Sequence, residues 1–74
     1  MASIVMRVRL TSGDHTDVTY EDPDAEHDGD AIDRAVAILG KKSGVLRCRH
    51  GDRPIFLFAR SVATIEVAPR GPIL

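Results

Sequence analysis

Only one stretch of this chain has the spacing of a helix; the other regular stretches read as strands, most of them by alternation. In AIDRAVAIL, residues 31–39, Ile32, Ala35, Val36 and Leu39 recur at i, i+3, i+4 and i+7, which predicts a helix with one buried face. Asp30 precedes it as the candidate N-cap, Asp33 follows three residues later as an approximate capping box, and Gly40 supplies the stop. Acids crowd its start and Lys41 and Lys42 follow its end, which suits the helix dipole at both termini. A lone amphipathic helix can bury its stripe only against a sheet, so the expected class is a single α+β domain.

The strands are read from period-two alternation. In residues 3–10, Ile4, Met6, Val8 and Leu10 share one face while Val5, Arg7 and Arg9 share the other. TSGD at 11–14 is turn chemistry, and HTDVTY at 15–20 sets Thr16, Val18 and Tyr20 on one side of a second strand. Residues 21–30 form an acidic loop leading to the helix. Beyond the helix, VLRCRH at 45–50 alternates Leu46 and Cys48 with Val45, Arg47 and Arg49, and HGDR at 50–53 turns the chain again. PIFLF at 54–58 is apolar throughout, which predicts a central strand or one covered on both faces. VATIEV at 62–67 is the last strand, with Ala63, Ile65 and Val67 facing inward. The expected order is β-β-α-β-β-β in a mainly antiparallel sheet, with the third strand placed beside the first. The domain spans residues 1–68, and Pro69 and Pro72 leave 69–74 as an extended tail.

With 74 residues, 43% hydrophobic and 28% charged, the chain is apolar enough to fold but near the lower limit for a self-sufficient core. Oligomerisation is a common remedy at this size. Cys48 is the only cysteine, which excludes an internal disulfide and points to a reducing compartment. The N-terminus, interrupted by Arg7 and Arg9, fits no signal peptide, and no run approaches the length of a membrane span. A cytoplasmic location without membrane contact is expected.

The net charge of −1 conceals a separation. Asp14, Asp17, Glu21, Asp22, Asp24, Glu26, Asp28, Asp30 and Asp33 lie within residues 14–33, leaving only Asp52 and Glu66 among the bases elsewhere. From Asp24, the loop imitates the first positions of an EF-hand, but the position of the bidentate Glu holds Ala35 and a strand stands where the entering helix belongs. No metal site is expected. His15, His27 and His50 have no spacing that would tie one to Cys48, and no phosphate loop, nucleophile elbow or paired-carboxylate motif is present. No enzyme, catalytic residue or cofactor is expected.

Two surfaces remain. Arg7, Arg9, Arg47 and Arg49 point away from the helix side and form a candidate interaction or nucleic-acid surface, which Arg53, Arg60 and Arg70 extend. A nucleic-acid role is the alternative reading, because single-strand binders add aromatic platforms and the pI is near 6.2. Phe56 and Phe58 share one face of the fourth strand while Ile55 and Leu57 share the other, so one pair needs cover beyond this helix. Phe56, Phe58, Ile73 and Leu74 are therefore candidate oligomer contacts. The expected function is a small non-enzymatic interaction module that binds a protein partner or self-associates through the helix-free face and the tail.

The layout, together with RVRLTSGD, GVLRCRHGD and SVATIEVAPRG and the arginine-rich, lysine-poor composition, resembles short proteins of unknown function from actinobacteria such as streptomycetes. The resemblance implies a bacterial cytoplasmic origin and carries no catalytic or binding residue.

Overall fold

The computed structural model describes residues 1–67: strand β1 (Ala2–Leu10), β2 (His15–Asp22), helix α1 (Asp28–Leu39), β3 (Val45–His50), β4 (Arg53–Phe58), a 3-10 turn at Ala59–Ser61, and β5 (Val62–Val67). The elements follow the expected β-β-α-β-β-β order and form one antiparallel five-stranded sheet in the order β4-β3-β2-β1-β5. The third strand does not lie beside the first. β2 stands between them, and β5 takes the other flank of β1. Because β3 runs antiparallel to β2, the chain re-enters the sheet at the end where it left, so α1 crosses the strands and touches β1, β2 and β3.

The sheet is strongly curled. β4 and β5 end the strand order, yet only Ala59–Ser61 join them. Laid flat, four strand spacings would be about 19 Å, beyond the roughly 14 Å that so short a link can span. The two edges therefore approach each other where the link crosses. Ala59 N–H donates to Gly44 C=O at 2.9 Å and Thr11 N–H to Ser61 C=O at 2.9 Å, tying the link to the start of β3 and the end of β1.

The concave side and the helix enclose the core. Ile4, Met6, Val8, Val18, Tyr20, Leu46, Cys48 and Leu57 are buried there, as the alternation of β1, β2 and β3 requires. The helix stripe differs from its sequence reading. Ala31 and Ala35 are fully buried, Ile32, Ile38 and Leu39 are half-buried, and Val36 is exposed. Alanines let the helix axis lie close to the sheet, so the smallest side chains take the central line. The helix also starts before the expected cap: it begins at Asp28, with His27 at the N-cap making no side-chain cap bond, and Asp28 and Asp30 fall in the first turn. In β5, Ile65 and Val67 are half-buried but Ala63 is exposed, because the β1–β5 register shifts between Arg9 and Leu10 and brings Val62 opposite Leu10.

Gly44 marks the closest backbone approach, since a Cβ there would meet the Ile38 carbonyl oxygen at 1.9 Å. Gly44→Ala is expected to cost about 1–3 kcal/mol in urea denaturation, whereas Gly29→Ala, with nothing within 4 Å, should be neutral or stabilise by up to about 1 kcal/mol. Equal effects at the two positions would contradict this packing of the helix end.

Candidate interaction surface

The convex face carries the residues that alternation turns away from the helix. Val5, Arg7 and Arg9 of β1, Asp17 and Glu21 of β2, and Glu66 of β5 share it, as do Val45, Arg47 and Arg49 of β3 and Phe56 and Phe58 of β4. Because β2 separates β1 from β3, the four arginines of the sequence reading do not converge. Acids interleave them. Arg7 Nε donates to Asp17 Oδ1 at 2.9 Å, Arg9 Nε to Glu66 Oε1 at 3.2 Å, and Arg49 Nε to Glu21 Oε1 at 2.7 Å. The hydrogen bond from Arg7 is the main reason that the Asp17 carboxyl lies below the usual carboxylate range. All three pairs are largely solvent-exposed and contribute little stability individually. Their effect is to neutralise the β5–β1–β2 part of the face.

The β3–β4 end differs. Arg47 makes no ion pair among the described residues; its Cζ lies 5.9 Å from the centroid of Phe56. Arg60 likewise stands over Phe58, at 6.0 Å. Phe56 is 54% exposed, Phe58 48% and Val45 44%, and register places Val45 opposite Phe58 and Arg47 opposite Phe56. Two aromatic rings, a valine and two arginines that have no carboxylate partner among the described residues thus form one continuous patch. Arg53, at the start of β4, is exposed and lacks an ion pair among the described residues, but alternation places it on the side of Ile55 and Leu57, so it does not extend the convex face as expected. Arg70, Ile73 and Leu74 lie outside the described residues.

β4 is an edge strand, not the central or doubly covered strand that its apolar run predicts. Leu57 is buried and Ile55 half-buried on the helix side, so the exposed pair is the aromatic one. The His50–Arg53 turn that presents this strand depends on Gly51, whose φ of 61° at the first loop position suits a two-residue hairpin turn. His50 Nδ1–H donates to the Asp17 carbonyl at 2.6 Å and braces β3 against β2. That brace matters because the β2–β3 register contains the single pair Thr19↔Arg49. A cleft of about 410 Å³, lined among others by Tyr20, Glu21, Leu46, Arg47 and Cys48, opens at this seam.

Asp22 was not singled out by sequence reasoning, hidden as it is in the acidic run. It is 2% exposed, with Oδ2 standing 2.8 Å from Arg34 Nε and Oδ1 accepting from Asp24 N–H at 3.0 Å. It anchors the end of β2 to the helix. Cys48 faces the core with Sγ 3.9 Å from the Leu46 carbonyl, and burial pushes its thiol pKa up, the opposite of an activated nucleophile. Burial also raises the Tyr20 hydroxyl pKa. Both groups hold their protons in the folded state at pH values where the unfolded chain releases them. Their joint contribution to stability is therefore expected to be level below the ordinary thiol range near about 8.5 and to fall above it. Thermal melts against pH should show a shallower alkaline decline in Cys48→Ala; a rise in stability through that range would contradict the burial of both groups.

Among the described residues no three His, Cys, Asp or Glu side chains are placed to hold a metal ion, and no helix is long and apolar enough to cross a membrane. Comparison with family models, curated proteins and solved structures gives no match.

Proposed function

We propose that this chain is a small non-enzymatic interaction module of the bacterial cytoplasm that self-associates through the β3–β4 end of its helix-free face. The observation that carries the reading is the patch of half-exposed Phe56 and Phe58 with Val45, flanked by Arg47 and Arg60, on an edge strand. Aromatic residues and arginine are the types enriched at interface centres, and a core this small benefits from further burial. The rest of the convex face is a solvated lattice of ion pairs, which gives an association surface a polar margin. A concentration series of amide NMR spectra tests the reading. Shifts should concentrate at Val45, Arg47, Phe56, Phe58 and Arg60; shifts confined to α1 and β5 would overturn it.

A second reading is favoured by one observation: Arg47 and Arg60 make no ion pair among the described residues and stand over Phe56 and Phe58 at the β3–β4 end of the convex face. Such a pair of guanidinium groups would attract phosphates, giving weak, salt-sensitive nucleic-acid binding. The acids paired with Arg7, Arg9 and Arg49 weigh against an extended phosphate track. A low-salt mobility shift with DNA and RNA that disappears in Arg47→Ala/Arg60→Ala would support this reading. No shift, or one indifferent to those changes, would remove it.

A further inference from the structure

The direction of each backbone group along β4 follows from two observations. Ala59 N–H bonds Gly44 C=O at 2.9 Å, continuing the register Phe58↔Val45 by one residue. At the other end, the two-residue turn closes on His50↔Arg53. Hydrogen-bonded pairs alternate along an antiparallel ladder, so residues 53, 55, 57 and 59 turn their N–H and C=O groups toward β3. Residues 54, 56 and 58 turn theirs outward. Pro54 thus falls where its missing N–H faces away from the sheet, the position at which proline is tolerated on an edge. The outward donors are the N–H groups of Phe56 and Phe58, and the outward acceptors are the carbonyls of Pro54, Phe56 and Phe58.

The two edges of the sheet are unequal. β5 has a register shift against β1 and carries the charged Glu66, devices that discourage pairing with another strand. From Ile55 to Phe58, β4 has no charge and no register shift.

We propose, resting on the self-association reading above, that β4 pairs antiparallel with β4 of a second copy about a two-fold axis beside Phe56, joining two sheets edge to edge. This register is self-complementary. Phe56 exchanges two hydrogen bonds with Phe56 of the second copy, and each Phe58 N–H donates to a Pro54 carbonyl across the axis. Continued past the strand ends into the Gly51–Asp52 and Ala59–Ser61 turns, the same register brings Asp52 toward Arg60 of the second copy, and reciprocally. Asp52 and Arg60 are exposed, opposite in charge and without an ion pair among the described residues, so charge complementarity selects this occupant and this register. On the convex side the rings form a continuous strip, Phe58–Pro54 beside Phe56–Phe56, with an Arg47 over each Phe56 and an Arg60 over each Phe58. On the helix side, half-buried Ile55 gains Leu57 of the second copy as its neighbour.

Amide hydrogen exchange of the full chain, followed by NMR at low and high protein concentration, tests the pairing. The Phe56 and Phe58 amides should exchange at least about tenfold more slowly at high concentration, while Ile55 and Leu57, already bonded to β3, change little. A dimer in which Phe56 and Phe58 remain fast would overturn the edge pairing and leave face-to-face association through the same patch. Absence of any dimer would overturn both. Charge reversal supplies the second measurement: Arg60→Asp should weaken association, and Asp52→Arg added to it should restore it. Failure of the double change to restore association would overturn the register.

Discussion

Changing Phe56 and Phe58 together to threonine is expected to weaken self-association at least about 100-fold, because aromatic anchors at an interface centre each carry roughly 2 kcal/mol or more. Threonine keeps the strand preference of both positions, so the fold should survive the change. The rings contribute little to the monomer, being about half exposed and packed mainly beneath Arg47 and Arg60. The expected signature is a loss of association with a thermal midpoint, measured in dilute solution, that moves by only a few degrees. A large drop in that dilute midpoint would mean that the phenylalanines serve the fold.

Leu46→Ala should have the converse effect. Leu46 is fully buried on β3 and packs within the core shared by the sheet and α1. Its truncation is expected to cost about 2–5 kcal/mol, comparable with the roughly 3–5 kcal/mol that one core of this size supplies. The variant should be largely unfolded or molten in the absence of a stabilising partner, whereas Val36→Ala on the exposed helix flank should change stability by less than about 0.5 kcal/mol. Urea denaturation of both variants reads the difference. Equal losses would contradict the observed helix stripe and restore the one read from side-chain size.

That stripe shows where sequence reasoning reaches and where it stops. β1 and β3 were legible because Ile4, Met6, Val8, Leu46 and Cys48 alternate strictly with arginines and valines, and a period of two admits only two faces. The helix carries two overlapping apolar lines. Hydrophobicity favours the one through Ile32 and Val36, but close approach to the sheet selects the one through Ala31, Ala35 and Ile38. Its first residue was hidden because His27 is not a capping residue by type. Strand order was not legible at all, since it depends on the path of α1 across the strands and on the curl that lets three residues join β4 to β5. The strand order also decides the surface: with β2 between β1 and β3, Arg7 and Arg49 meet Asp17 and Glu21 instead of one another. The apolar run of β4 reads as a central strand or one covered on both faces because a run without alternation does not fix a strand's place in the sheet. Asp22 was missed for a related reason, since burial of one acid in a run of nine leaves no mark in the sequence.

Sedimentation equilibrium of the unmodified chain, from about 10 μM to about 1 mM, addresses the functional account most directly. A weight-average mass that rises with concentration from that of one 8.1 kDa chain toward twice that value, and that stays at one chain in Phe56→Thr/Phe58→Thr, is the predicted result. A single-chain mass throughout the range, or association indifferent to the two substitutions, would contradict it.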